Sequence, residues 1–171
     1  MTVMSRPMGP IARFLADDHD RLDGLLRRAT ATPGRLEREP FDRFRAGLLR
    51  HIALEEKILF RAAREAGGEL GPLQRRLRVD HGAISSLLVP PPTPELVSEL
   101  RSILEPHNAI EEAPEGLYAR CDALLASQAE PLLEEMRSYP PVKVAGYRDG
   151  PRVLRTAAAA LESSAKQVER R

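Results

Sequence analysis

Apolar residues recur every three or four positions in four long segments of the chain, and no segment alternates regularly between apolar and polar residues. This spacing places apolar side chains on one face of a helix, so the pattern predicts an all-helical fold. Prolines and glycines fall between the segments, where they favour turns and helix ends. The predicted helices span about residues 10–30, 40–67, 70–88 and 94–125.

Connections of a few residues between long helices favour antiparallel neighbours. We therefore predict an up-down-up-down antiparallel four-helix bundle over residues 1–128. Residues 129–171 form a C-terminal extension, with a short helical stretch at 132–137, an irregular segment rich in proline and glycine, and one last helix starting at Pro151. The last helix is amphipathic, and we expect it to dock on the bundle, with a contact in a homodimer as the alternative. Its apolar stripe comprises Leu154, Ala157, Ala158, Leu161, Ala165 and Val168.

Composition narrows the classes of protein to consider. The 171 residues include 26 basic and 25 acidic side chains, a balance that disfavours a nucleic-acid-binding module. A single cysteine excludes an internal disulfide framework. The first residues lack the apolar run of a signal peptide, and no segment approaches the length of a membrane span. We expect a cytoplasmic protein with neither nucleic-acid nor membrane partners.

The four histidines of the chain are distributed one to each predicted helix. Each lies three or four positions after an apolar residue that faces the core, so each is predicted on the buried face of its helix. A lone histidine there is more often a satisfied core residue than a ligand, but four that converge on one core favour a metal site. They are His19, His51, His81 and His107.

Two of these histidines begin the same motif, His-x-x-x-Glu-Glu, which pairs His51 with Glu55 and His107 with Glu111. Residues four apart share a helix face, so both side chains of a pair can reach one cation. Glu55 also continues the apolar stripe, where an unpaired carboxylate would be costly. Imidazole and carboxylate ligands together favour first-row transition metals, and two glutamates from opposite helices suit bridges between two ions. Iron is preferred, with zinc and manganese as alternatives.

Taken together, these residues resemble the hemerythrin family, in its bacterial branch of HHE cation-binding domains. The resemblance covers about residues 10–128 and is carried in order by DHDRL, HIALEEKILF, DHGAI and HNAIEE. It implies a non-haem di-iron centre whose function is to bind O2, to sense iron or redox state, to handle metal, or to respond to nitric oxide. The ligands that it implies are four histidines that bind the metals, His19, His51, His81 and His107, and two bridging glutamates, Glu55 and Glu111.

The chain departs from the oxygen-carrying hemerythrins, which resemble it but have a fifth histidine one turn from the third. The corresponding positions here are Leu77 and Ser85. Water or one of three carboxylates would complete the ligand set, and a changed set alters redox potential and O2 affinity. We therefore expect simple oxygen carriage to be disfavoured. The three carboxylates are Glu56, Asp80 and Glu112.

The fourth helix departs in two further respects. The last carboxylate of the carriers follows its histidine by five residues, which would select Glu112, whereas symmetry with Glu55 favours Glu111. Pro106 and Pro114 flank the motif and predict a kink or break beside the site.

Three other residues lie near the predicted site. For Tyr118 we favour aromatic core packing over a hydrogen bond to a metal-bound oxygen. Asp23, four residues after His19, is more simply a solvated helix charge than a partner of that histidine. Cys121 is expected to be buried and inert.

Three functions are compatible with this site. The first is a non-haem di-iron protein that senses or handles O2, redox state or iron, with O2 or nitric oxide as its exogenous ligand. The second is a di-iron enzyme that reduces peroxide, O2 or nitric oxide, and the third is a metal-free helical interaction module. An open coordination position is compatible with the first two functions alike, and between them we favour a metal- and oxygen-binding protein over a catalyst. The sequence contains no nucleophile triad, phosphate-binding loop or nucleotide-binding fingerprint, so no catalytic or organic-cofactor residues are assigned.

Overall fold

The computed structural model describes residues 8–170; residues 1–7, part of the segment in which we expect no signal peptide, and residue 171 lie outside it. All regular secondary structure within the described range is helical, which confirms the predicted all-helical class. A π-helical turn at Glu55–Leu59 joins α2 to α3, and a short 3-10 turn precedes α7. The helices are α1 (Pro10–Ala29), α2 (Arg38–Leu54), α3 (Phe60–Glu65), α4 (Gly71–Leu87), α5 (Pro94–Glu112), α6 (Leu117–Leu124), α7 (Ala129–Ser138) and α8 (Ala157–Glu169).

The helix starts follow from local sequence and from one long-range contact. Pro10 is the first residue of α1, where its missing N–H costs nothing. The next two N–H groups, of Ile11 and Ala12, donate to the carboxylate of Asp122 at 2.9 and 3.0 Å. At α5, the hydroxyl of Thr93 accepts from the backbone N–H three residues later. The cap of α1 is thus supplied by α6, and it connects the start of α1 to the end of the predicted fourth segment.

The predicted fourth helix is interrupted beside Pro114, as expected. Helix α5 continues through Pro106 and ends at Glu112; residues 113–116 are not helical, and α6 begins at Leu117. A residue before proline is driven from the helical region, and Ala113 accordingly has φ −55° and ψ 152°. The break therefore has a local covalent cause.

The core consists of two clusters of buried apolar residues with a polar layer between them. Each of α1, α2, α4 and α5 has its histidine at the crossing from one cluster to the other; in α1, for example, His19 lies between Leu15 and Leu22. Along the sequence, α1 and α4 pass from the first cluster to the second, whereas α2 and α5 pass from the second to the first. The four histidines consequently meet at one level of the molecule.

The C-terminal helix α8 packs on α4, and its bounds differ from the prediction. It starts at Ala157 instead of Pro151, because the hydroxyl of Thr156 caps it and the carboxylate of Glu99 accepts from its first N–H at 2.7 Å. Pro151 lies in a turn.

The buried face of α8 also differs from the predicted apolar stripe. Ala160 and Ser164 are its buried residues, whereas Leu161 and Ala165 are only half-buried. A methyl group on Gly82 of α4 would lie 2.2 Å from the Ser164 hydroxyl oxygen. Small residues on both helices thus allow their backbones to approach closely. None of the described helices is long and apolar enough to cross a membrane.

Candidate metal centre

The structure brings together all six side chains that the sequence singles out. The four histidines and two glutamates are all buried, and the most exposed of them, His19, retains only 6% of its accessible surface. This confirms the predicted inward position of the histidines and of both glutamates. They come from α1, α2, the π-helical turn, α4 and α5, so no single helix forms the centre.

The six side chains form two groups that share both glutamates. We call His19 and His51, with Glu55 Oε1 and Glu111 Oε2, the first half; Nε2 of each histidine is 3.4 Å from one of these oxygens. The second half consists of His81 and His107 with the other two oxygens, Glu55 Oε2 and Glu111 Oε1, each 3.1 Å from a histidine Nε2. Each carboxylate therefore presents one oxygen to each half, as a bridge between two ions does.

The spacing within each half suits a cation. Two atoms bound to one first-row ion at about 2.1 Å lie about 3.0–3.4 Å apart in octahedral or tetrahedral geometry, and the measured separations agree. Three buried atoms of the second half, Glu55 Oε2, His81 Nε2 and Glu111 Oε1, have no hydrogen bond of acceptable geometry. Buried polar atoms are rarely left without a partner. The residues present fit a pair of metal ions.

The outer nitrogen of every histidine donates a hydrogen bond to a carboxylate on another helix or on the π-helical turn. His19 Nδ1 donates to Glu112 at 2.6 Å and His51 Nδ1 to Asp18 at 2.9 Å. The remaining two bonds are those from His81 Nδ1 to Glu56, at 2.7 Å, and from His107 Nδ1 to Asp80, at 3.3 Å. We call these four bonds the outer ring, because they connect α1, α5, α4 and α2 with its π-helical turn in a closed circuit. They turn each Nε2 inward and fix the tautomer that binds metal.

The outer ring explains two sequence doublets that first suggested different roles. In each Glu-Glu pair the first carboxylate enters the centre and the second bonds a histidine of another helix. In each Asp-His pair the aspartate bonds the histidine of another helix. The sequence offered Glu56, Asp80 and Glu112 as replacements for the missing ligand; the structure places all three on outer nitrogens instead. Glu111, and not Glu112, lies in the centre.

The π-helical turn begins at Glu55, one of the two carboxylates shared by both halves. A π-helical turn holds an extra residue and is frequent at functional sites. Here the turn contains both Glu55 and Glu56, which point to the centre and to the outer ring respectively. Nothing in the hydrophobic spacing distinguishes this turn from ordinary helix, so the sequence predicted none.

In the metal-free centre, the buried histidines and carboxylates shift the pKa values of one another. Burial lowers the pKa of His51, but the charge of Glu55 and the hydrogen bond to Asp18 outweigh it and raise that pKa to about 10. Asp80 and Glu111 act similarly against burial on His107, raising its pKa to about 9. Burial raises the pKa of Glu55, yet the neighbouring His51 holds that pKa well below its ordinary value. Protons on imidazoles therefore compensate the buried carboxylates when no cation does.

Tyr118 has a role that the sequence did not favour. Its ring is buried in the first apolar cluster, in agreement with core packing, but its hydroxyl enters the centre. It donates to Glu55 Oε1 at 2.7 Å. Burial, followed by the charges of Glu55 and Glu111, raises the pKa of Tyr118 well above its ordinary value, so the metal-free protein holds a neutral phenol there.

The break after α5 allows Tyr118 to reach the centre. At Gly116 a Cβ atom would lie 2.2 Å from the carbonyl oxygen of Ile110 and 2.7 Å from that of Glu111. Only glycine permits this close return of the chain, two residues before Tyr118. Pro114 and Gly116 are the sequence features that could have indicated it.

The remaining residues behave as expected. Asp23 is half-exposed and pairs with Arg27, which supports a solvated charge. Cys121 is buried, and its burial with the charges of Glu55 and Asp122 raises its pKa to about 12, which makes the thiol inert. Leu77 is fully buried in the first apolar cluster.

Comparison with protein families identifies the class that this fold and site define. The family model described as hemerythrin HHE cation binding domain matches residues 11–120. The chain belongs to this family, and the match includes all six centre residues and Tyr118. Comparisons with curated proteins and with solved structures give no significant match.

Proposed function

We propose that the protein holds two iron ions, one in each half of the centre, and uses them to sense or handle O2, redox state or iron. The supporting observation is the sharing of Glu55 and Glu111, each with one oxygen in each half. A single ion could not use both oxygens of both carboxylates together with four imidazoles. Iron suits a mixed imidazole and carboxylate ligand set, and zinc and manganese are the alternatives.

The proposed scaffold is an up-down-up-down bundle of α1, α2 with α3, α4, and α5 with α6. The opposite order in which successive helices cross the polar layer supports this topology. The outer ring adds support, because it links α1 to α2, α4 to α5 and both pairs to each other. In such a bundle the ligands project inward from four directions.

A groove between α4 and α8 favours the second half as the place where a small exogenous ligand approaches. It has a volume of about 670 Å³ and is lined in part by His81, Glu56 and Ser85. The inward atoms of the second half are buried, so the groove brings a small molecule such as O2 or nitric oxide as far as His81 and Glu56; a smaller pocket of about 60 Å³ borders His19 of the first half. The groove equally suits the alternative function, a di-iron enzyme that reduces peroxide, O2 or nitric oxide, because turnover also needs a route for substrate.

Metal analysis tests the proposal. The chain is stripped with chelator, loaded anaerobically with ferrous iron, desalted and analysed for metal and protein. We expect two iron ions per chain and an optical spectrum that changes when air is admitted. One zinc ion per chain in the protein as purified, or no iron after loading, would exclude the di-iron centre. Absence of metal both before stripping and after loading would favour a metal-free interaction module. Sustained consumption of peroxide or nitric oxide with an electron donor would favour the enzyme.

A further inference from the structure

The Tyr118 hydroxyl contacts every ligand atom of the first half. Besides its bond to Glu55 Oε1, the oxygen lies 3.0 Å from Glu111 Oε2, 3.1 Å from His19 Nε2 and 3.3 Å from His51 Nε2. Only 1% of the tyrosine surface is exposed, so water does not compete for these contacts. The phenol is therefore an integral part of the first half.

Hydrogen bonding accounts for part of this position, since an imidazole Nε2 can donate to the phenol oxygen and the phenol can donate to one carboxylate. A phenol has one proton to donate, yet two carboxylate oxygens lie within reach, and both can only accept. Three of the four contacts, at 3.0–3.3 Å, match the separation expected among atoms around one ion, and the fourth, at 2.7 Å, is the hydrogen bond to Glu55. The oxygen thus lies where a fifth ligand atom of that ion would lie.

The second half has no such residue among those that the structure describes. Its unpartnered atoms lie on Glu55, His81 and Glu111, and the aromatic ring stacked on His81 is that of Phe60, with ring centres 6.2 Å apart. Phenylalanine has no ligand atom. The second half therefore offers four protein ligands where the first offers five.

Building on the proposed di-iron function, we propose that Tyr118 is a phenolate ligand of the ion held by His19 and His51. Binding exchanges the phenol O–H bond for an oxygen–metal bond, and the proton leaves to solvent; no electron is transferred. The first ion then has five protein ligands, and an exogenous ligand binds the ion of the second half, beside the groove. Phenolate is a hard oxygen donor that favours ferric over ferrous iron.

Spectroscopy of the ferric protein tests this assignment. Wild type, Tyr118→Phe and Tyr139→Phe are loaded with ferrous iron and oxidised with ferricyanide, and iron content, visible absorption and resonance Raman spectra are recorded. Tyr139 is the matched control, a tyrosine packed against the same apolar cluster outside the centre. We expect a visible phenolate-to-iron charge-transfer band in wild type and Tyr139→Phe, and its loss in Tyr118→Phe.

A second measurement needs no variant. Wild type grown with ring-deuterated tyrosine should show shifted Raman modes under the visible band, because those modes belong to a bound phenolate. Two iron ions per chain with no tyrosine-dependent band would overturn the role of Tyr118 and leave the di-iron function standing. Failure of wild type to bind two ions would overturn both.

Discussion

The two halves of the centre are built by the same rules and differ in one side chain. In each half, one histidine follows an aspartate and the other begins a His-x-x-x-Glu-Glu motif, and every outer nitrogen has its carboxylate. Tyr118 enters the first half only, whereas the second half retains orphaned atoms and borders the groove. Similar motifs thus produce two halves with different surroundings, and the difference comes from a residue outside the motifs.

The largest effect should come from removing a ligand that both halves share. Glu55→Ala should reduce bound iron from two ions per chain to none, because each half loses one of two carboxylate oxygens and the bridge is lost. His81→Ala should retain the ion of the first half. Elemental analysis after loading checks both. Equal iron content in the two variants would contradict the assignment of His81 to one ion and of Glu55 to both.

The pH dependence of stability should separate the metal-free from the loaded protein. Protonated His51 and His107 stabilise the metal-free fold, because folding raises the pKa of each above the ordinary value of 6.5. This stabilisation is complete below pH 6.5 and is lost as the pH rises through the raised pKa values, about 9 for His107 and about 10 for His51. Bound cations replace the protons in both halves. Thermal unfolding across this range should therefore show a falling Tm for the metal-free protein and a nearly constant one for the loaded protein; parallel curves would argue against metal in place of protons.

Substitutions in the outer ring should act on one half at a time. Asp18→Asn should weaken the ion of the first half and Asp80→Asn that of the second, each by roughly 10–100-fold, because the carboxylate orients its histidine and increases its basicity. Competition with a metal-sensitive chelator measures the two affinities. Asp23→Asn, on the same helix as Asp18 but paired with Arg27, is the control and should change neither.

The smallest effect should come from the turn that delivers Tyr118. Gly116→Ala should cost about 1–3 kcal/mol of unfolding free energy, since its new Cβ would overlap the backbone of α5. Gly24→Ala, within α1 with nothing near the added carbon, should instead stabilise by roughly 0.5–1 kcal/mol. Chemical denaturation measures both. A neutral result at Gly116 would mean that the turn relaxes, and Tyr118 would not depend on it.

The sequence predicted what periodicity can encode. His51 and Glu55, four residues apart on a buried stripe, were identified from spacing, and Pro114 predicted the break beside it. Helical arithmetic predicts Tyr118 near the site, but core packing is the commoner role of an aromatic residue on an apolar stripe, and no spacing specifies where its hydroxyl goes. The start of α8 was placed at Pro151 because Thr156 capping competes with proline as a start signal, and only tertiary contacts decide between them.

The carboxylates of the outer ring show what local sequence patterns cannot predict. Their presence as neighbours of histidine or glutamate was visible, but their partners lie on other helices, and no local pattern specifies which nitrogen a carboxylate will reach. From the sequence alone Glu56 and Glu112 were candidate ligands. In the folded protein, α4 places His81 beside Glu56 and α1 places His19 beside Glu112, so both glutamates accept hydrogen bonds from outer nitrogens.

The outer ring has a consequence for electron transfer. Each imidazole is held from behind by a carboxylate of a different segment, so a change in the charge of an ion meets ligands that are already fixed in direction. In the proposed di-iron centre, little nuclear rearrangement would then accompany oxidation or reduction. If the proposed iron ions are bound, such a centre would exchange single electrons with an external donor at a low reorganisation energy. Glu56 and Glu112, which accept from two of the outer nitrogens, are partially exposed and so connect the outer ring to the protein surface.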